Sequence, residues 1–452
     1  MVPGCVVMSD HQETIHSAVP LVLVGSVFVY SIVSARLDRA RISAPMVFVA
    51  IGVLIGASGL GLVRVDPGGH WLLTVAELTL ALLLFSDASH LRLRDVEGDS
   101  GPPTRLLLIG LPLTLLAGTL LAFWMFPDRG WVVAALIAAL LAPTDAALGA
   151  VVVSDTRIPA RIRRMLNVES GLNDGMATPV VMVLITVVAS EAGKLGSLNW
   201  VVDAAWAMSV AVVVAVVVGG GGGRVLRWCR GRGWTSPLSE QVAVLTIALL
   251  CYLAATEIDG NGFVAAFLGG MFFGFAVPPS LRVRSEFTET MGLLASYVVW
   301  VAFGATMVGR ALEHATVRTV VVAVGALTVA RMVPVALAMA GGRWGWQTIL
   351  FVGWFGPRGL ATVIFVMIAA QELGTTAVSD HLVEVASLTV VLSILAHGLS
   401  AFPLSGRYGR WAASLPDDAP ERVAVTSVST RRVMLHIGPL GAHRHEPSSK
   451  QS

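Results

Sequence analysis

Charged residues are scarce in this chain. They make up 13% of its 452 residues, about half of the ~25% that is usual in soluble globular domains. Many uncharged stretches reach the roughly twenty residues that a helix needs to cross a bilayer. The scarcity of charge therefore argues against a water-soluble fold and predicts an all-α polytopic protein embedded in the lipid bilayer.

Other absences narrow the class of function. The three cysteines, Cys5, Cys229 and Cys251, lie far apart and show no metal-ligand spacing, so neither a disulfide framework nor a zinc site is expected. The glycine run at 219–223 lacks the GxxxxGKS or GxxxxGKT pattern of a phosphate-binding loop. No cofactor and no nucleic-acid partner is expected. The N-terminus has no basic region followed by a cleavage site, so the first span is expected to direct insertion itself.

Charge clusters and turn residues divide the chain into thirteen predicted spans. Their bounds are roughly 17–35, 45–62, 71–88, 106–125, 130–154, 165–190, 200–223, 239–256, 261–277, 287–309, 318–340, 346–371 and 382–403. Loops on one side of these spans carry seventeen arginines, whereas the opposite loops carry five arginine or lysine residues. Because basic loops stay in the cytoplasm, the N-terminus is predicted outside the plasma membrane and the C-terminus inside. A missed or extra span would have scrambled this asymmetry, which favours thirteen.

Two of the spans are interrupted by turn residues. The fifth contains ALLAPTDAALGA and the twelfth contains VGWFGPRGLATV. If residues 17–190 and 239–403 are two halves joined by a linker span at 200–223, the second half starts from the opposite side of the membrane. Paired interruptions in an inverted repeat are typical of a transporter's binding site. The transmembrane domain is thus predicted over 17–403, between an outer terminus at 1–16 and a mostly disordered cytoplasmic tail at 404–452.

Five ionisable residues fall inside the predicted spans. They are Asp145, Glu169, Asp174, Arg331 and Arg358. A charge at bilayer depth costs at least about 2.5–3.5 kcal/mol unless it is paired or faces water. We expect Glu169 and Arg331 to form a structural ion pair, and Arg358 to place positive charge against exposed carbonyls. His90 and His397 lie near span ends and are expected at the interface.

Oxygen-bearing side chains surround the acids. Asp145 follows Thr144 at the break in the fifth span, where it either caps the second half-helix or helps to hold an ion. Ser170 and Asp174 are four residues apart and share one face of the sixth span, and Asn173 lies on the adjacent face. Such a stripe of oxygens suits a hard cation.

Four stretches together resemble the sodium/proton exchanger branch of the monovalent cation/proton antiporters. They are PTDAALGAVV, RIRRMLNVESGLNDGMATPV, ARMV and GPRGLATVI. That family typically shows a TDPVA-like break, an ESLLND stretch and a late glycine-arginine-glycine motif, in this order and at this spacing across roughly 17–403. Two positions depart from its pattern: Ala146 stands where the family has proline and Gly171 where it has leucine. These departures bear on ion selectivity more than on the class of transport.

The resemblance implies a homodimer, with a panel domain and a mobile core domain in each protomer. It implies that Asp174 alternately carries a proton and a cation, most simply Na+, with Li+ and K+ as alternatives. Thr144 and Ser170 would complete the Na+ site, with Asp145 supporting it. Asn173, directly before the key acid, is similar to the family's electroneutral members.

Two rival classes of function stay open at this point. Two membrane aspartates could belong to an intramembrane aspartyl protease, but Asp145 and Asp174 lack the Tyr-Asp and Gly-x-Gly-Asp contexts of that family. A non-transporting sensor or channel on the same scaffold is the second rival. An antiporter, which is not an enzyme, accounts for the broken spans as well as the acids.

Overall fold

The computed structural model describes residues 7–40, 42–62, 70–90, 101–191, 200–282 and 284–422. Within these ranges the regular elements are all helices, and no β-strand occurs. An all-helical chain suits a bilayer, because a helix satisfies its backbone hydrogen bonds within one segment.

We number the helices in chain order, and their bounds are as follows. The first seven are α1 (Val7–Arg39), α2 (Ala44–Ile55), α3 (His70–Ser89), α4 (Gly101–Met125), α5 (Gly130–Leu140), α6 (Ala146–Ser154) and α7 (Ala160–Glu191). Then follow α8 (Trp200–Val214, continuing through a π-helical turn to Gly231), α9 (Pro237–Thr256), α10 (Gly262–Ala276) and α11 (Ser285–Phe303, continuing to Glu313). The last are α12 (Val317–Leu327), α13 (Val329–Met339), α14 (Trp346–Trp354), α15 (Leu360–Leu373) and α16 (Ala377–Ala413).

Helix covers part of each of the thirteen predicted spans. In the described part of the chain, nine helices are long and apolar enough to cross a membrane by length and composition, and three shorter apolar helices accompany them. The number thirteen itself therefore stays a prediction.

The helices extend past several predicted boundaries. The boundary at residue 403 lies inside α16, which continues to Ala413, and α1 begins at Val7, within the predicted outer terminus. Charge clusters mark where apolar sequence stops, but polar residues continue a helix readily, so the helix outlasts the apolar run. Residues 423–452 of the predicted tail lie outside the described residues.

The interior is centred on α15. Every residue from Leu360 to Ala369 is buried, among them Phe365 at 0% exposure, as expected for a helix that is apolar on all sides. By contrast, Leu21 of α1 and Trp124 of α4 are 75% and 72% exposed. The outer helices thus present apolar side chains outward, while α15 and the break that precedes it are enclosed.

Candidate ion-binding site

The first broken helix is interrupted by Pro143. Proline has no N–H to donate and disfavours helical backbone at the preceding residue, here Ala142. Accordingly α5 ends at Leu140 and α6 begins at Ala146. Asp145, between them, has an extended backbone with φ −88° and ψ 114°. The unwound stretch leaves the carbonyl end of α5 and the N–H end of α6 without partners within the helix.

The second broken helix is interrupted in the same way by Pro357. α14 ends at Trp354 and α15 begins at Leu360. The two interruptions meet, because the backbone N–H of Asp145 donates to the carbonyl of Pro357 at 2.7 Å. The prediction that the fifth and twelfth spans are broken is confirmed, and the structure also brings the two breaks into contact.

Asp145 caps both broken helices. Its Oδ1 accepts hydrogen bonds from the backbone N–H groups of Ala147 and Leu148, at 2.7 and 3.2 Å, in the first turn of α6. Its Oδ2 accepts one from the N–H of Leu360, at 2.9 Å, at the start of α15. The amino ends of two half-helices therefore point at one carboxylate, where its negative charge is stabilised by both helix dipoles.

Two glycines permit this close packing. A Cβ at Gly359 would collide with the Asp145 carboxylate, so only glycine fits between the two half-helices. A Cβ at Gly356 would lie 2.6 Å from Nε of Arg331. Because both positions are glycines, the break can pack against the Asp145 carboxylate at Gly359 and against the Arg331 guanidinium at Gly356.

Whereas Asp145 caps the amino ends of two half-helices, Arg358 contacts the carboxyl end of one, α5. Its Nη1 donates to the carbonyls of Ala142 and Pro143 at the end of α5, the second at 3.3 Å. The side chain is 1% exposed. A fixed positive charge at a helix carboxyl end offsets the negative end of that dipole. The predicted placement of Arg358 against exposed carbonyls agrees with these contacts.

The carbonyl end of α14 is held by His397 of α16. Nε2 of His397 lies 2.9 Å from the carbonyl oxygen of Trp354, and Nδ1 lies 3.2 Å from Oγ of Ser393. That same Oγ accepts a hydrogen bond from the backbone N–H of Arg358 at 2.7 Å. Ser393 and His397 therefore connect the two sides of the second break.

The unwound stretch of the first break contacts α7. Oγ1 of Thr144 lies 3.2 Å from Oγ of Ser170, and Nδ2 of Asn173 donates to Oγ1 of Thr144 at 3.3 Å and to the carbonyl of Ala142 at 3.2 Å. All three side chains are buried. Asp174 is half-buried and follows Ser170 by one helical turn, so the two share a side of α7. The predicted oxygen stripe therefore faces the break.

Glu169 and Arg331 are joined as expected. Nη1 of Arg331 lies 2.5 Å from Oε1 of Glu169, and the side chains are 2% and 3% exposed. Within the described residues, Nε and Nη2 of Arg331 have no hydrogen-bond partner. The pair links α7 to α13 directly behind the break of the second broken helix.

The buried charges around the point where the two helix breaks meet, here called the crossing, balance one another. Asp145 and Glu169 are 8% and 2% exposed, and Arg331 and Arg358 are 2% and 1% exposed. Two acids and two arginines sum to no formal charge. Asp174, which is half-buried, adds one negative charge to a neutral surrounding set. The described residues contain no group of three or more His, Cys, Asp or Glu side chains that could hold a metal ion.

A small cavity reaches this region from the end of the bundle where α6 ends and α7 begins. It is lined by Gly149 and Val152 of α6, Leu166 and Ser170 of α7, and Phe355 of the second break. Ser170 therefore faces both the cavity and Thr144.

Sequence reasoning missed two participants. His397 was expected at the interface, and that expectation is wrong, because its side chain is 1% exposed and bonded to the break. Its spacing of four residues from Ser393 puts both on one helix face, a signal that could have prompted a closer look. Asp87 of α3 is half-buried and lies beside Gly171. A Cβ added at Gly171 would be 3.7 Å from the Cβ of Asp87.

The chain was compared with known proteins. The family profile described as "Sodium/hydrogen exchanger, transmembrane" matches residues 24–406. The K(+)/H(+) antiporter NhaP of Alkalimonas amylolytica is 27% identical over 400 residues, which cover 86% of this chain and 66% of that protein. The K(+)/H(+) antiporter NhaP2 of Shewanella oneidensis is 24% identical over 377 residues, covering 82% of this chain and 63% of the relative. This chain thus spans somewhat less than two thirds of each of these curated relatives.

Among solved structures, the fold is similar to that of the sodium proton antiporter MjNhaP1 from Methanocaldococcus jannaschii. The TM-score is 0.72 at 20% identity, covering 88% of this chain and 99% of that one. The family match extends over most of the chain, and the fold agrees with it. This protein therefore belongs to the sodium/hydrogen exchanger family and is a multi-pass membrane protein of a transporter family.

Proposed function

We propose that this protein exchanges a monovalent cation for H+ across the plasma membrane, with the two ions competing for the carboxylate of Asp174. One observation carries the proposal: the four buried charges around the crossing cancel, Asp87 is a further half-buried acid beside Gly171, and Asp174 brings the negative charge on α7. One proton or one monovalent cation neutralises it, but both together do not fit the charge balance. Desolvation favours the neutral state of such a site, so occupancy by either ion is favoured over vacancy.

The ligands divide into ion-binding and supporting groups. Both oxygens of Asp145 accept backbone hydrogen bonds, which fits a residue that organises the crossing. The hydroxyl oxygens of Ser170 and Thr144 lie 3.2 Å apart, and Ser170 precedes Asp174 by one helical turn, so we assign these three residues to the cation. Asn173 orients Thr144 through its amide, and Glu169 and Arg331 hold α7 in register behind the site.

Transport follows if the site opens to one side at a time and moves only when it is occupied. We assign the approach from the cytoplasm to the cavity beside Ser170. The carrier returns with the other ion, so one cation is exchanged for one proton without net charge movement. The residue before Asp174 is Asn173, which brings no second negative charge and fits an electroneutral exchange.

Na+ and K+ are both supported as the cation by what is known of similar proteins. Two relatives are named K(+)/H(+) antiporters, while the structural neighbour is named a sodium proton antiporter. We favour Na+, which the family profile and the structural neighbour both name. We further propose a homodimer with the N-terminus outside and the C-terminus in the cytoplasm.

The experiment is cation-induced recovery of a quenched pH dye in proteoliposomes with purified protein. Na+, Li+ and K+ are added separately, at several pH values. Asp174→Asn keeps the shape of the side chain but cannot ionise, so it should abolish exchange with every cation while the protein elutes as a folded species. Asp203→Asn, an identical change at an exposed position of α8, is the matched control.

Normal exchange by Asp174→Asn would overturn the proposed mechanism. Absence of exchange by the parent protein with all three cations would favour a non-transporting sensor instead. A membrane current carried by the cation without proton movement would indicate a channel.

A further inference from the structure

The chain folds back after the last helix. Residues 414–422, here called the return segment, follow α16 and are closed into a compact turn by Arg422. Its Nη1 donates to the carbonyl of Leu415 at 2.6 Å, and its Nη2 lies 2.8 Å from the carboxylate of Asp417. Beside these exposed groups, Glu421 is 2% exposed, which is unusual for a carboxylate outside the apolar bundle.

Glu421 caps α14, the first half of the second broken helix. Its Oε1 accepts hydrogen bonds from the backbone N–H of Gly345 at 2.9 Å and from Oγ1 of Thr348 at 2.8 Å. Gly345 occupies the N-cap position and has no side chain with which to cap the helix. The carboxylate thus supplies, from far along the chain, the cap that α14 lacks, and its charge suits the positive end of the helix dipole.

The same segment also holds the start of α7. The carbonyl of Pro420 accepts a hydrogen bond from Nη1 of Arg161 at 2.5 Å. The Arg161 guanidinium in turn lies over the ring of Trp344, 4.7 Å from its centre, directly before α14. The return segment therefore joins two helices at one end of the bundle. α7 carries Ser170 and Asp174, and α14 leads into the break that supplies a hydrogen bond to Asp145.

We infer that Glu421 is a positioning residue for transport, which fixes the start of α14 relative to α7 so that the break and the ion-bearing helix move together. The inference rests on the proposed function. Glu421 lies at the far end of α14 from the break, so it does not belong to the ion's own ligands. Its loss is therefore expected to slow the movement of the loaded site and to leave the affinity for the cation unchanged.

The test compares three full-length variants: Glu421→Ala, Glu421→Gln and Asp417→Asn. The last removes an equal charge from the same segment, at a side chain that is 94% exposed, and serves as the control. Hydrogen exchange of the Gly345 amide reports its bond to Glu421 directly, and exchange at 346–349 reports the first turn of α14. We expect about fivefold faster exchange there in Glu421→Ala, the factor that loss of a helix cap typically brings.

Transport by the same proteins gives the second readout. Glu421→Ala should lower Vmax to less than half of the parent value and leave KM for Na+ unchanged. Glu421→Gln keeps an acceptor oxygen for Gly345 and Thr348 and should recover most of the lost rate, and it also serves if the alanine variant fails to fold. Asp417→Asn should behave as the parent, because its ion pair with Arg422 is exposed and contributes little, and Arg422 keeps its hydrogen bond to Leu415.

Three results would overturn the inference. In the first, Glu421→Ala matches Asp417→Asn in both readouts. In the second, hydrogen exchange accelerates while transport is unaltered, which reduces the segment to a local stabiliser of α14. In the third, KM for Na+ changes while Vmax does not. If the parent protein exchanges no cation, the proposed function fails and the inference falls with it, whereas the amide exchange still measures the cap.

Discussion

Removing Arg331 tests how strongly the interior depends on paired charges. Its guanidinium and the Glu169 carboxylate lie 2.5 Å apart and are almost fully shielded from solvent. An exposed ion pair contributes about 0–1 kcal/mol, but removing one member of a buried pair costs about 3–5 kcal/mol, because the other charge is left without compensation. At 2% and 3% exposure the second case applies.

We therefore expect Arg331→Ala to lose about 3–5 kcal/mol of stability. Most of that loss comes from Glu169, which must either stay charged in an apolar setting or take up a proton. Replacing both residues together, Glu169→Leu with Arg331→Met, removes the uncompensated charge and should restore most of the stability. The double variant is thus expected to be more stable than Arg331→Ala alone.

The assay is the temperature of half-loss of the monodisperse peak in detergent, at one fixed heating time since membrane proteins unfold irreversibly. Arg310→Ala, at an exposed position of α11, controls for the loss of an arginine. An Arg331→Ala protein that is as heat-resistant as Arg310→Ala would refute the reasoning. So would a double variant whose losses simply add, because independent losses mean that the two side chains do not interact.

Three further predictions concern the crossing, the competing ions and the orientation. Gly359→Ala would press a methyl group against the capping carboxylate, so expression and exchange should both fall sharply, whereas Gly25→Ala, with open space around it, should match the parent in both measurements. If a proton and the cation compete for Asp174, the apparent KM for the cation should rise by about tenfold per pH unit below the pKa of that group. Initial rates measured across pH test this prediction. A KM that does not vary with pH would contradict competition. In a background without the native cysteines, Arg157→Cys should react with an impermeant thiol reagent only from the cytoplasmic side, and Thr375→Cys only from outside. The reverse pattern would mean that the predicted topology is inverted.

The sequence predicts the local structure at the site well. Pro143 and Pro357 disfavour helical backbone at the preceding residue, and their Thr-Asp and glycine neighbours make both breaks visible in the sequence, whereas Pro179 alone lies inside α7. The spacing of Ser170 and Asp174 follows from helical periodicity alone. A lone arginine and a lone acid within apolar spans indicate a pair, and Glu169 and Arg331 are indeed in contact.

Partnerships between distant residues could not be predicted in this way. The sequence leaves Asp145 as either the cap of one half-helix or part of an ion site, and nothing local shows that its second oxygen caps another half-helix. His397 lies near the end of a predicted span, where an interfacial position is the ordinary expectation, yet a carbonyl freed by the second break holds it inside. Glu421 lies in polar sequence without periodicity, and its burial depends on an uncapped helix start elsewhere in the chain.

The contact between Gly359 and the Asp145 carboxylate also constrains how the family can vary. The space that a side chain at position 359 would need is already filled by the Asp145 carboxylate from the other half of the chain, so Gly359 cannot change alone. A relative with a larger residue at the position of Gly359 must have shortened or moved the acid, and must then satisfy the amino ends of α6 and α15 by other means. The two positions are therefore expected to vary as a pair among homologues, and a chimera that combines halves from divergent members should fail at this contact before it fails at the ion.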